Sequence, residues 1–422
     1  MKIIKIILFI TLILNIILGV LIITVKDKDG AEIEKTTTWW NIQSIDTVKY
    51  SRDLAKEKLN NLDFDKDIDT QVRLIAETGA THIAIGTPYD TEFIPYLRRW
   101  VNSARKYRLK IWFRGNLSGW EGWFGYKNIS REEHVNNIQK FILDNKELFS
   151  DGDLFSSCPE CENGGPGDPR FIGDIDGYRK FLVEEYKVSD DAFRKIGINV
   201  RSNFMSMNYD VASLVMDRET TKALGNIVVI DHYVDSPKKL PIDIQNIAIK
   251  SGGKIILGEF GAPIPDINGK FSEEEQSAWI REALLEISEI PELVGINYWT
   301  SFGGSTALWD ANYKSKIAVG VINEYFKPRI ISGRVKNEIG SPIRSATVLV
   351  GIRSVKTNEN GKYSLPYVQE NSEILIKAKG YLTKQANIVN QGNRDIILIK
   401  EKENIFFKIG KFIKSKINFQ ML

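Results

Sequence analysis

The sequence is poor in the side chains that metal and thiol chemistry require. Its 422 residues hold two cysteines, adjacent as Cys158-Pro-Glu-Cys161, and three histidines, His82, His134 and His232, far apart. A zinc ribbon needs a second cysteine pair, so no metal site is expected. The CxxC does not open a helix in a thioredoxin-like unit and reads either as a local disulfide or as two free thiols beside a functional loop. No glycine-rich phosphate loop follows the early run Trp39-Trp-Asn-Ile-Gln-Ser44, which counts against a doubly wound nucleotide-binding sheet. The net charge is only +3 and the central region has no basic block, so no nucleic-acid partner is expected.

One long apolar run is present. Lys2 and Lys5 precede a stretch from Ile6 to Val25 interrupted only by Asn15, long enough to cross a bilayer as a helix. No small-residue cleavage site follows, so an uncleaved signal anchor is expected rather than a removed signal peptide. The leading lysines place the N-terminus in the cytoplasm and the remainder outside, giving a single-pass, membrane-anchored protein.

From about residue 36 to 327, short apolar runs alternate with helical patterns, eight of each. The expected strands are 38–43, 81–86, 110–114, 154–159, 199–203, 227–233, 254–259 and 295–299. That alternation is the pattern of a (β/α)8 TIM barrel. After Pro328 the period changes to two, with turn residues between short runs, as in a small antiparallel β-sandwich. The expected domains are an anchor over 1–30, a barrel over 31–328, a sandwich over 329–400 and a basic amphipathic tail over 401–422. The tail alternates apolar and basic residues and fits either a surface-lying helix or a frayed end.

A barrel brings the C-terminal ends of its strands to one face, where the site is built. In Lys254-Ile-Ile-Leu-Gly-Glu-Phe-Gly-Ala-Pro263 an apolar run ends at a carboxylate, Glu259, and then breaks. The fourth run ends in Cys158-Pro-Glu-Cys-Glu-Asn163, with Glu160 favoured over Glu162 as the residue closing the strand. Paired carboxylates across a cleft suit glycosidic bond cleavage, one protonating the leaving oxygen and the other attacking the anomeric carbon. Arg114 would keep Glu259 ionised and Tyr233 would orient it. Trp299 offers a flat face to a sugar, and Trp40, Glu162, Asn163 and Asn203 complete the expected substrate contacts. Trp120 and Trp123, in Gly119-Trp-Glu-Gly-Trp-Phe-Gly125, fit either a sugar subsite or hydrophobic staples for the loop.

At Leu257-Gly-Glu-Phe-Gly261, Asn297-Tyr-Trp299 and Tyr233 the chain resembles the retaining glycoside hydrolases of clan A, most nearly the cellulase-like family 5. The resemblance implies Glu259 as nucleophile, Glu160 as acid/base, no cofactor, and a poly- or oligosaccharide substrate cleaved as by a cellulase or mannanase. Departures are Pro159 where that family has Asn before the acid/base, Asp231 in place of its strand-six His, with His232 one place out of phase, and Arg114 on the third strand rather than an earlier one. The departure at Pro159 keeps open a second expectation, a catalytically inactive barrel that binds glycan at the cell surface. A third is a thiol-dependent protein using Cys158 and Cys161. Ser332-Gly-Arg-Val, Ala346-Thr-Val and Thr357-Asn-Glu-Asn-Gly-Lys-Tyr resemble the carboxypeptidase regulatory-like domain, implying a transthyretin-like sandwich.

Overall fold

The computed structural model describes residues 38–368, 372–388 and 392–401. The apolar run before Val25 and the tail from 402 lie outside them; among the described residues no helix is long and apolar enough to cross a membrane. The described chain divides after Pro328 into two units.

In the first unit the apolar runs form eight parallel strands: β1 Ile42–Asp46, β2 His82–Ile85, β3 Lys110–Phe113, β4 Leu154–Phe155, β5 Ser206–Asn208, β6 Ile227–Asp231, β7 Lys254–Phe260 and β8 Leu293–Tyr298. Their order is β4-β3-β2-β1-β8-β7-β6-β5. The ring closes where the chain ahead of β5 runs beside β4. There the Arg201 N–H donates to the Asp153 carbonyl at 3.0 Å and the Phe155 N–H to the Arg201 carbonyl at 2.8 Å. The result is a (β/α)8 barrel. Intervening helices bury the faces their periodicity predicts, as in Asp65–Glu77 with Ile68, Val72 and Ile75. Ser130 with Glu133, and Ser272 with Glu275, form capping boxes that start the helices Arg131–Asp144 and Glu273–Ser288.

Ile42, Ala84, Trp112, Leu154, Phe204, Val229 and Ile256 pack as one apolar cluster drawn from successive strands. Side chains alternate along a strand, so residues two further on share the same face. Arg114 therefore follows Trp112, Ser206 follows Phe204 and Asp231 follows Val229. A polar layer lies directly above the apolar one, toward the strands' C-terminal ends. The expectation that Trp112 is core holds, since it is fully buried with its indole N–H on Ser156 Oγ at 2.9 Å.

Three strands differ from expectation, and β4 does so by stopping at Phe155 rather than 159, which leaves Glu160 in the loop beyond it. The first begins at Ile42, not 38, because Trp39 and Trp40 form a turn whose N–H groups both donate to Gln43 Oε1, at 2.8 and 3.2 Å. Their apolar side chains read as strand but wedge beneath it, with Trp40 stacked on Tyr325. The regular part of the fifth strand is Ser206–Asn208, beyond the expected 199–203, which touches β4 through a single bridge at Arg201. Polar Ser206 and Asn208 hide that strand from a hydrophobicity pattern.

The second unit is a small sandwich as expected, antiparallel except where Gly392–Asn393 and Ile396–Leu398 pair with its first strand in parallel. One sheet holds β10 Thr347–Val350, β11 Arg353–Lys356, β13 Glu373–Lys377 and β14 Lys384–Asn387; the other is built on β9 Arg329–Asn337 and β12 Lys362–Tyr367. Alternate residues Ile331, Val335, Val348, Val350, Tyr363, Leu365, Ile374 and Ile376 form its core. The buried Thr357 hydroxyl bonds the Ile343 carbonyl at 2.7 Å and accepts from the Ala346 N–H at 2.9 Å, pinning the turn between the sheets.

Candidate active site

A bulge in β7 sets the site. Ile230 faces Leu257, but Asp231 faces Glu259, so Gly258 is the extra residue. A Cβ at Gly258 would fall 2.4 Å from Asp231 Oδ1 and 2.8 Å from Val229, so only glycine fits. The bulge frees the Gly258 carbonyl from the ladder, and it accepts from Arg114 Nη1 and, at 2.8 Å, from Asn297 Nδ2. It also turns Glu259 onto the barrel mouth. There Glu259 Oε1 accepts from Arg114 Nη2 at 3.1 Å and Oε2 from the Tyr233 hydroxyl at 2.7 Å.

Glu160 comes from the loop after β4 and meets Glu259 across the mouth. One carboxylate oxygen from each of Glu160, Asp231 and Glu259 lies within 4.8 Å of the other two. Among the described residues this trio is also the set close enough to ligate a cation. The Arg114 guanidinium already supplies a counter-charge, with Nη2 3.0 Å from Asp231 and Nη1 3.4 Å from Asp46. Glu160 and Glu259 remain partly exposed, whereas Asp231, Asp46 and Arg114 are buried.

The two glutamates differ in their donors. Glu259 accepts a charged and a neutral hydrogen bond, both favouring the carboxylate. No described side chain hydrogen-bonds the Glu160 carboxyl. Burial, then the neighbouring Glu259 and Glu162, push its pKa up to about 8. Burial and Asp231 also raise Glu259, against the pull of Arg114. The expectation that Arg114 keeps Glu259 ionised is not met: burial and Asp231 outweigh the guanidinium, which Asp231 and Asp46 share. Among the acids around this one cation Glu160, without donors, is where a proton is best kept.

The remaining expected residues divide. Trp299 lies half-buried at the mouth, edge-on to Tyr233 with ring centres 6.0 Å apart. Asn163 is exposed in the loop after β4, where its Oδ1 accepts from Asn208 Nδ2 at 3.2 Å. Glu162 is buried and fully engaged, accepting from the Asn208 N–H at 2.6 Å, Asn208 Nδ2 at 3.0 Å and the Tyr178 hydroxyl at 3.1 Å. It braces the loop and offers substrate no free face. Trp40 and Asn203 are corrections: Trp40 precedes β1 and is buried at the opposite end of the barrel. Asn203 precedes β5 and donates to the Leu224 carbonyl, 2.9 Å away, just before β6. Both errors follow from the two misplaced strands. His232 turns away from the site to Asp243, 2.8 Å distant.

Trp120 proves to be a staple, buried and stacked on Phe181 with its indole N–H on the Cys161 carbonyl at 3.1 Å. Cys158 and Cys161 are joined as a disulfide. Sequence reasoning missed Asp46, Ser206, Asn297 and Glu121. The first two needed the correct strand ends. Asn297 lies two residues before Trp299, and that spacing was a usable signal. Glu121 Oε1 accepts from Asn116 Nδ2 at 2.5 Å, Asn116 Oδ1 in turn faces His134 Nε2 at 2.7 Å, and burial pushes Glu121 up to about 7.

Two stability results follow. Arg114→Met leaves Asp46, Asp231 and Glu259 without their shared cation and is expected to destabilise the fold by about 3–5 kcal/mol at neutral pH. Urea unfolding at neutral and acid pH checks this, since the loss should shrink as the acids take up protons. Glu160→Gln should act oppositely. Its folded pKa of about 8 exceeds the ordinary 4.5, so the native state binds the extra proton and stability falls as pH rises through that window. The glutamine variant lacks this fall and should melt higher than wild type near pH 8, with little difference below pH 4.5.

No family model matches the chain, and no curated protein matches it. Solved structures do. A glycoside hydrolase of family 5 from Bifidobacterium longum, in complex with Manβ1-4GlcNAc, superposes with a TM-score of 0.51 at 12% identity, covering 72% of this chain and 84% of that one. A β-glucuronidase of Bacteroides uniformis, covalently bound to a cyclophellitol-6-carboxylate aziridine, gives 0.45 at 13% identity over 79% of this chain and 44% of that one. The chain thus spans under half of the β-glucuronidase's length. At these identities the likeness is one of fold, and it agrees with the barrel.

Proposed function

We propose that this chain is a retaining β-glycosidase acting by double displacement on a β-linked poly- or oligosaccharide of the cellulose or mannan type. The observation that supports it most is the asymmetry of donors in the facing pair: Glu259 is held by Arg114 and Tyr233, Glu160 has no side-chain donor, and burial raises both carboxyls. An oxygen of each lies within 4.8 Å of the other, which favours the roughly 5–5.5 Å of retaining enzymes over the roughly 6.5–9.5 Å of inverting ones. Glu259 attacks the anomeric carbon and forms an ester as the glycosidic C–O bond breaks, and Glu160 gives its proton to the leaving oxygen. Water then attacks the same carbon, Glu160 takes its proton, and the ester to Glu259 breaks. The scheme needs no cofactor.

In this reading Trp299 lies against the sugar bound beside Glu259, with Asn163 further out. The apolar run before Val25 anchors the protein in a membrane with the barrel outside the cytoplasm. The sandwich is an appended carboxypeptidase regulatory-like module. The test is turnover of β-linked polysaccharides and aryl β-glycosides by the soluble chain. Hydrolysis with retained anomeric configuration is expected; binding of a glycan without any turnover would instead favour the inactive surface-binding barrel.

A further inference from the structure

We infer that the Cys158–Cys161 disulfide is the positioning element for the Glu160 carboxyl, an inference that rests on the glycosidase reading above. β4 ends at Phe155, so Glu160 lies beyond the strand, in the loop. Its carboxyl has no side-chain partner among the described residues, so its direction is set by the backbone alone. That backbone is unusual. Glu160 has φ 47° and ψ 45°, the left-handed region, which a residue with a Cβ keeps only when its surroundings impose it.

The surroundings are on either side of it. The disulfide joins Cys158 to Cys161 with Cα atoms 5.2 Å apart and encloses Pro159 and Glu160 in one small covalent ring. Both cysteines are buried, and each is fixed from outside the ring. Asn116 Nδ2 stands 3.5 Å from Cys158 Sγ, and Trp120 donates to the Cys161 carbonyl at 3.1 Å. Within the ring the Glu160 N–H donates to the Ser206 carbonyl at 2.7 Å, and just beyond it the Asn163 N–H donates to the Glu160 carbonyl at 2.9 Å. A disulfide's stabilisation of the whole fold grows with the length of chain it closes, and this one spans a separation of three. What so short a bridge supplies is local. Together with the two hydrogen bonds it holds the one turn on which the acid is carried.

The pair is therefore a positioning device, acting only through Glu160. The test compares wild type with the Cys158→Ser, Cys161→Ser double variant on two glycosides of one sugar. One has an alkyl leaving group that needs a proton, and the other a dinitrophenolate that leaves without one. The double variant is expected to lose ~10²-fold in kcat/KM on the alkyl glycoside and to stay within a few-fold on the dinitrophenyl glycoside. In a Glu160→Ala background the same serine pair should bring no further loss on either substrate. Equal losses on both substrates, no loss on either, or full additivity with Glu160→Ala would overturn the inference. Wild type inert toward both glycosides would remove the glycosidase reading itself, and with it this one. Melting temperatures of the variants separate unfolding from mispositioning.

Discussion

Replacing Glu259 with alanine is expected to lower turnover by ~10⁴-fold or more while the protein remains folded. The residue is singular in this site because the β7 bulge delivers it between two donors, Arg114 and Tyr233. No neighbour can take its place. Asp231 is buried beneath it and engaged by the same guanidinium, so it is not free to attack in its place. Removing the Glu259 carboxylate also relieves crowding among the acids, so the variant should melt no lower than wild type at neutral pH. Steady-state kinetics beside a thermal melt checks both halves. Loss of activity together with loss of structure would point to a structural role for Glu259.

The second large effect is at Glu160. Its alanine variant is expected to lose ~10²–10⁴-fold in kcat/KM on substrates with poor leaving groups, and far less on dinitrophenyl glycosides. Added azide should restore turnover of the activated substrate, because a small anion can attack the Glu259 ester without the base that water requires. Wild type should lose activity above about pH 8 as Glu160 gives up its proton, and that alkaline limb should vanish in the variant. If Glu162→Gln rather than Glu160→Ala abolished the limb, the acid would lie one bracing residue away. The three hydrogen bonds that already occupy Glu162 argue against that outcome.

The barrel was legible because its signal is repeated. Runs such as residues 255–257 are apolar on both faces, and a carboxylate that ends one stands out. Glu259, Tyr233 and Trp299 were read from strand ends that the pattern placed to within two residues. The failures share a cause. Trp39 and Trp40 have the hydrophobicity of a strand but form a turn under β1, so Asp46, the true strand end, was passed over and Trp40 was put at the mouth. Ser206 and Asn208 have the polarity of a loop but pair with β6, so the fifth strand was placed too early and Asn203 with it. Both strands carry polar residues for the layer above the apolar cluster, and function overrides periodicity there.

Other features needed three dimensions. Nothing in Arg114's own neighbourhood along the chain tells that it gathers Asp46, Asp231 and Glu259, which come from three other strands. The sequence could pose disulfide against free thiols at Cys158 and Cys161, and only the turn at Glu160 shows what pairing them holds. Trp120 likewise could be staple or subsite until Phe181 was found against its ring.

The central claim is a covalent intermediate on Glu259. The most direct measurement incubates the protein with a panel of activated 2-deoxy-2-fluoro β-glycosides, which form such an ester but release it slowly, and maps the adduct by peptide mass spectrometry. The account predicts one glycosyl group on the peptide that carries Glu259, and none in Glu259→Ala. An adduct on another residue, or a turned-over substrate whose product shows inverted configuration, would contradict it.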